Sequence, residues 1–180
     1  MPEIEIRPAI ASDISNLTAL DHHYTSDHVW QMDFTHDWEA GEVKATFRQV
    51  RLPRAVRVEY PRSSHSLELD WAQRSGILVA LLAGQSVGYV GLSLGRAPYT
   101  AWMTDLVVDR PVRNQGIGTG LALAATEWAA SMNCRNLVLE MQPKNYPAIQ
   151  FASRLGFEFC GYNDLYYANH EIGIFFCKSW

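Results

Sequence analysis

The spacing of hydrophobic and polar positions changes several times along the chain, and each change predicts an element. Ile4, Ile6 and Ala9 alternate with charges, predicting a short opening strand. Ser12 and Asp13 offer N-caps for a helix with Ile14, Leu17 and Leu20 on one face. Residues 21–37, rich in His, Asp and aromatics, read as irregular or partly helical. A second helix is expected from Trp38 to about Gln49, ahead of Pro53. Residues 55–60 alternate as a strand stopped by Pro61, and a polar helix or loop runs on to about Gln73. Gly76 to Leu82 and Val87 to Leu94 predict a hairpin. Ala101 to Val108 is a further apolar strand, and its alternation puts Asp105 on one face with Ala101, Met103 and Val107. A glycine-rich turn from Asn114 to Gly120 opens a helix with Ile117, Leu121, Ala124, Ala125, Trp128 and Met132 at helical spacing. A strand from Leu137 to Met141, a helix from Asn145 to Leu155 and strands at 157–160 and 173–177 complete the chain. Hairpins followed by strand–helix–strand–helix–strand predict an α/β (α+β) fold, a mixed sheet with helices on both faces.

Composition narrows the function. The 180 residues suit a single domain, 1–180, and 48% hydrophobic with 19% charged residues supplies a core that a disordered chain lacks. No apolar run approaches the ~20 residues of a membrane helix, so no membrane partner is expected. The first residues show no basic leader before an apolar core. Cys134, Cys160 and Cys177 have no paired spacing, which favours reduced thiols and a cytoplasmic location. A net charge of −4 lacks the basic footprint of a nucleic-acid binder. His22, His23, His28 and His36 cluster with Asp21, Asp27, Asp33 and Asp37, but no metal-ligand spacing appears, so no metal is expected.

The chemistry concentrates between Asp105 and Gly120. Gly116, Gly118 and Gly120 let the backbone approach a bulky anion, at which the new helix aims its free N–H groups. Arg113 adds a planar charged donor at the mouth of the turn. Such a turn suits a pyrophosphate. No Lys-Ser or Lys-Thr follows the glycines, which removes the Walker A reading, and the last glycine spacing does not fit the dinucleotide fingerprint. A glycine-rich turn without a ligand stays open on these residues alone.

Arg113-x-x-Gly116-x-Gly118 resembles the (Gln/Arg)-x-x-Gly-x-(Gly/Ala) signature of GNAT-type N-acetyltransferases. Asn145-x-x-Ala148-x-x-Phe151, ending in Leu155-Gly156-Phe157, resembles that family's second cofactor segment. Within the family the likeness extends to streptothricin acetyltransferases through Glu127-Trp128-Ala129, Leu139-Glu140-x-Gln142, Leu165-Tyr166 and Glu171-Ile172-x-Ile174-Phe175. The resemblance implies a GNAT fold, with a mostly antiparallel sheet and a splayed strand pair at the cofactor site. It implies acetyl-CoA as cofactor and a small-molecule amine as partner, and leaves room for a homodimer. The pyrophosphate would sit on Asn114, Gln115, Gly116, Ile117, Gly118, Thr119 and Gly120 beside Arg113. The pantetheine arm would run along the backbone of Leu106, Val107 and Val108, with Asn145, Ala148 and Phe151 on its path. The backbone near Val107 and Val108 would supply oxyanion donors.

Several roles stay open between chemistry and structure. Asp105 is the first candidate base or holder of a cationic substrate, and equally a strand-end carboxylate satisfied by donors; Glu140 is the second candidate. Asn145 also suits a helix N-cap, and Phe151 ordinary core packing. The family's acid, a tyrosine, is replaced by Ala152; Tyr166 is favoured as substitute, with Tyr146, Tyr162 and Tyr167 as others. Trp30, Phe34 and Asp37 are expected to wall the acceptor, with Trp38 and Asp33 beside them and Glu140 as a further substrate contact. A non-catalytic acyl-CoA sensor and an acetyltransferase acting on a protein amine are the competing functions.

Overall fold

A computed structural model describes residues 4–180. Residues 1–3, on which part of the leader reading falls, lie outside the described residues. In chain order the elements are β1 (Ile4–Pro8), α1 (Ala11–Thr18), β2 (Tyr24–Asp37), β3 (Glu42–Val58), α2 (Ser64–Asp70), β4 (Gly76–Leu82), β5 (Gln85–Ala97), β6 (Thr100–Val108), α3 (Ile117–Ser131), β7 (Asn136–Met141), α4 (Tyr146–Arg154), β8 (Glu158–Asn163) and β9 (Gly173–Ser179). Seven strands form one sheet in the order β1-β4-β5-β6-β7-β9-β8, antiparallel except for β6 beside β7. The mixed, mostly antiparallel fold is as expected.

Helices cover both faces. α3 and α4 lay Leu121, Ala125, Ile149 and Ala152 on Leu78, Val90, Met103 and Ile174. α1 and α2 lay Ile14, Leu17 and Leu67 on Ile77, Val79, Leu81 and Tyr89. β4 is therefore buried on both sides, which explains its unbroken apolar run. The cap of α1 falls earlier than expected. Ile10 is the N-cap residue, and Asp13 works from the third helical position, accepting the Ile10 N–H at 2.8 Å while pairing with Arg7 at 2.7 Å.

Two sequence expectations fail in the first third. Residues 24–37 and 42–58 are not irregular and helical; they pair as one long antiparallel ribbon. Glu39, Ala40, Lys44, Ala45 and Gln49 favour helix by propensity. Tertiary packing overrides them: Phe47 stands 6.3 Å from the Trp30 ring and 5.2 Å from Phe159, and Trp30 lies 5.6 Å from Phe176.

Two departures from regular pairing build the site. Gly91 pairs with Asp105 but Leu92 pairs with Met103, so Thr104 is an extra residue, a β-bulge. The bulge turns Asp105 and Val107 toward α1 and α2, while Ala101 and Met103 face α3 and α4. Of the three residues expected to share a face with Asp105, only Val107 does. Second, the parallel β6–β7 ladder ends at Met103 and Leu139, although both strands continue. That is the splayed pair.

Candidate active site

The start of α3 is a ready anion site. Gly116 precedes the helix at φ +87, a left-handed conformation that glycine adopts without a Cβ clash. The first helical bond runs from Gly120 N–H to Gly116 C=O at 3.0 Å. The N–H groups of Gly116, Ile117, Gly118 and Thr119 therefore have no acceptor within the helix, and no side chain caps them. A Cβ on Gly118 would lie 3.5 Å from the Phe151 ring and 3.7 Å from Val108. The turn thus adjoins both α4 and the end of β6.

Arg113 does not stand free at the mouth of this turn. Its Nε donates to Val108 C=O at 2.7 Å and its Nη1 to His23 C=O at 2.6 Å, and Nη2 reaches Asp21 C=O. All three nitrogens are engaged by backbone, so the guanidinium fastens the 21–23 loop to the end of β6. This arrangement suits a positioning role beside the turn rather than the direct phosphate contact expected from the sequence.

The splay opens a cleft lined by Leu106, Leu139, Glu140, Asn145, Ala148 and Phe151, with Tyr60, Arg62 and Tyr167 at its other end. Asp109 N–H donates to Val87 C=O at 2.8 Å. Antiparallel alternation then assigns the Val107 backbone to Tyr89, and turns the backbone groups of Leu106 and Val108 toward β7. Thr104 C=O is taken by Arg62 at 2.7 Å and Val108 C=O by Arg113. Leu106 keeps the open backbone edge; Val107, expected beside it as a backbone contact and oxyanion donor, spends its polar groups within the sheet. Asn145 caps α4, its Oδ1 accepting Ala148 N–H at 3.2 Å, and also lines the cleft. Capping leaves it on the cleft wall, so the two expected roles are compatible.

A second, more open cleft meets the first at Pro61, Arg62 and Tyr167 and adds Ser63, Ser66, Arg96, Tyr166 and Ala168. Beneath it lies Glu140, whose side chain is fully buried. Glu140 Oε1 is held by Arg62; Oε2 accepts from Arg96 Nη1 at 2.8 Å and from the Tyr166 hydroxyl at 2.5 Å. Burial, followed by the Glu140 charge, pushes Tyr166 up to about 12, so it stays protonated. Arg62 also stacks over the Tyr167 ring at 5.2 Å. Burial opposes its charge, but Asp105 and Glu140 outweigh this and hold it protonated.

Asp105 is buried and fully partnered. Oδ1 accepts from the Tyr60 hydroxyl at 2.8 Å, and Oδ2 from Arg74 Nη1 at 2.5 Å and Thr104 Oγ1 at 3.0 Å. Burial alone would raise its pKa; the Arg62 and Arg74 charges override that and hold it below the ordinary carboxylate range. Asp105 lines neither cleft and has the surroundings of a charge anchor, so its expected role as base is not supported. Trp30, Phe34 and Asp37 line neither cleft either. Trp30 fastens the ribbon to β8 and β9, Phe34 is half-exposed along the ribbon, and Asp37 accepts the Glu39 and Ala40 N–H groups at its tip. The segment from Trp30 to Trp38 thus does not narrow the acceptor side. Tyr60, Arg62, Arg74 and Arg96 escaped the sequence reading because they reach the site from separate elements with no common spacing. Among the described residues no group of three His, Cys, Asp or Glu is placed to hold a metal, and no helix is long and apolar enough to cross a membrane.

A helix N-terminus stripped of caps, beside a strand pair that parts next to it, is the arrangement the resemblance to acetyl-CoA-dependent acyltransferases implies, and comparison with known proteins agrees. The profile of the Acetyltransferase (GNAT) family matches residues 32–157, and the chain belongs to that family, whose members use acetyl-CoA. The chain is 32% identical over 174 residues, 91% of its length and 86% of the relative's, to the streptothricin acetyltransferase of Streptomyces lavendulae. Its fold superposes on a nourseothricin acetyltransferase with a TM-score of 0.81 at 25% identity, covering 98% of each chain. A Bacillus anthracis str. Ames protein described as a streptothricin acetyltransferase, solved in complex with acetyl coenzyme A, gives 0.75 at 23% identity over 99% of this chain and 100% of that one.

Proposed function

We propose that this chain, acting as one cytoplasmic domain, moves the acetyl group of acetyl-CoA to a primary amine of a small molecule. One observation carries the reading: Phe151, which lines the cleft at the open edge of β6, also stands beside Gly118 at the uncapped start of α3. The residues fit the cofactor. The N–H groups of residues 115–119 and the glycines among them suit a pyrophosphate. Leu106, Asn145, Ala148 and Phe151 suit the pantetheine arm, and the side-chain N–H groups of Asn145 remain for it once its oxygen caps α4. Acetyl-CoA, when bound, supplies the thioester carbonyl. The chain's own contribution is then to hold, orient and manage protons. Arg62 and Tyr167 stand where the two clefts join, which is where an acceptor amine would be presented. Tyr166, protonated, is the hydroxyl we assign to returning a proton to the departing thiolate. The names of the relatives support a small-molecule acceptor. The test is acetyl-CoA-dependent release of CoA thiol with a panel of small amines and a peptide amine. Turnover of small amines is expected. Tight acetyl-CoA binding without turnover across the panel would instead mark a cofactor sensor, and turnover of the peptide alone a protein acetyltransferase.

A further inference from the structure

The open cleft is lined by cations and hydroxyls. Arg62, Arg96, Ser63, Ser66, Tyr166 and Tyr167 face it, and no carboxylate is among its lining residues. The nearest acid, Glu140, lies behind the two arginines with both oxygens taken. A second cation on the acceptor would find no vacant carboxylate here and would meet two guanidinium groups.

The two arginines differ in what they have left to give. Arg62 spends Nη1 on Thr104 C=O and Nη2 on Glu140, with its face on Tyr167. Arg96 spends only Nη1, on Glu140 and the Tyr166 hydroxyl; its Nε and Nη2 have no partner among the described residues. Its guanidinium rests over the Trp102 ring at 5.2 Å, and its side chain is 37% exposed. It is thus a braced planar fork with its Nε and Nη2 edge unspent, the geometry that binds a carboxylate or phosphate through two parallel N–H groups.

We propose that the acceptor is an amine carrying an anionic group of its own, and that Arg96 binds that group. The inference rests on the acetyl-transfer reading above and narrows its substrate class.

Matched pairs test it: an α-amino acid against its carboxamide, and ethanolamine phosphate against ethanolamine. Each is assayed at saturating acetyl-CoA with the wild type, Arg96→Gln and Arg96→Lys. The anionic member of at least one pair should show a kcat/KM about tenfold or more above its neutral partner, the scale of one charge-assisted contact. Which pair responds separates carboxylate from phosphate. Arg96→Gln should erase the preference and Arg96→Lys keep part of it, with acetyl-CoA affinity unchanged in both. Equal rates within both pairs, or preference for the neutral members, would overturn the inference and leave acetyl transfer standing. Failure of every amine while acetyl-CoA still binds would overturn both.

Discussion

Arg74 donates from Nη1 to Asp105 Oδ2 at 2.5 Å, tying the segment after α2 to the strand that borders the cofactor cleft. The pair is buried, and Gly91 makes room for it: a Cβ there would lie 2.7 Å from Arg74 Nη1 and 3.0 Å from Asp105 Oδ2. Asp105→Asn keeps the shape and leaves Arg74 and Arg62 short of a counter-charge. A loss of about 3–5 kcal/mol is expected, the scale of a broken buried pair. Gly91→Ala should weaken the same contact by about 1–3 kcal/mol through crowding. Because the Asp105 pKa is lowered on folding, its stabilisation is present above the ordinary value of 3.8 and lost as pH falls through the folded value. Urea titrations of wild type and Asp105→Asn should therefore stay apart from neutral pH down to the ordinary carboxylate value of 3.8 and converge only on acidification below it; a constant gap below that value would remove the anchor role.

For Arg113 the expected defect is structural. Arg113→Ala releases three backbone carbonyls and should cost about 1–3 kcal/mol. Arg113→Lys should recover little, since an ammonium cannot span the same three acceptors. Thermal melts with and without acetyl-CoA separate this from a direct phosphate contact, for which affinity would fall with the apo melting temperature unchanged.

Gly118 separates room from charge. A Cβ at this position makes only ordinary contacts, so Gly118→Ala should fold and bind acetyl-CoA within about threefold of wild type. Gly118→Glu places an anion on the N-terminus proposed to receive the pyrophosphate and should lower affinity by about a hundredfold or more. Calorimetric titration of both variants checks this; equal affinities would move the anion site elsewhere.

Tyr166→Phe should cut turnover by about a hundredfold while acetyl-CoA still binds. A Cβ on Gly173 would lie 2.5 Å from the Tyr166 ring, so Gly173→Ala should displace the tyrosine and reproduce part of the defect. Steady-state rates with one good acceptor measure both, and wild-type turnover in Tyr166→Phe would leave water as the proton source. Restoring the family tyrosine at position 152 should fail: Ala152 is 0% exposed in the α4 core, and Ala152→Tyr should lower stability by about 1–3 kcal/mol through overpacking.

The legible parts of the fold were those with local signals. The Gly116-x-Gly118 turn announces an uncapped helix, Asn145 announces α4, and β4 carries an unbroken apolar run. The ribbon was illegible because residues 38–49 favour helix locally and become strand only by pairing with β2 and burying Phe47 against Trp30 and Phe159. The face of Asp105 was misassigned because one bulged residue, Thr104, shifts the alternation, and no sequence period marks it. The arginine cluster was missed for a different reason. Arg62, Arg74 and Arg96 are far apart in sequence, and only the shared carboxylates Asp105 and Glu140 bring them together.

The extra residue at Thr104 also sets where the chain tolerates a change of length. Inserting one residue between Gly91 and Leu92, opposite Thr104, would make the pairing regular and put Asp105 on one face with Met103, sending a carboxylate toward the α3 core. The ribbon tip answers to no such constraint: Trp38 is 82% exposed, and Gly41 has open space around it. Insertions, tags or a grafted peptide belong at residues 38–41, far in the chain from the bulge, where a single codon would rewrite the site.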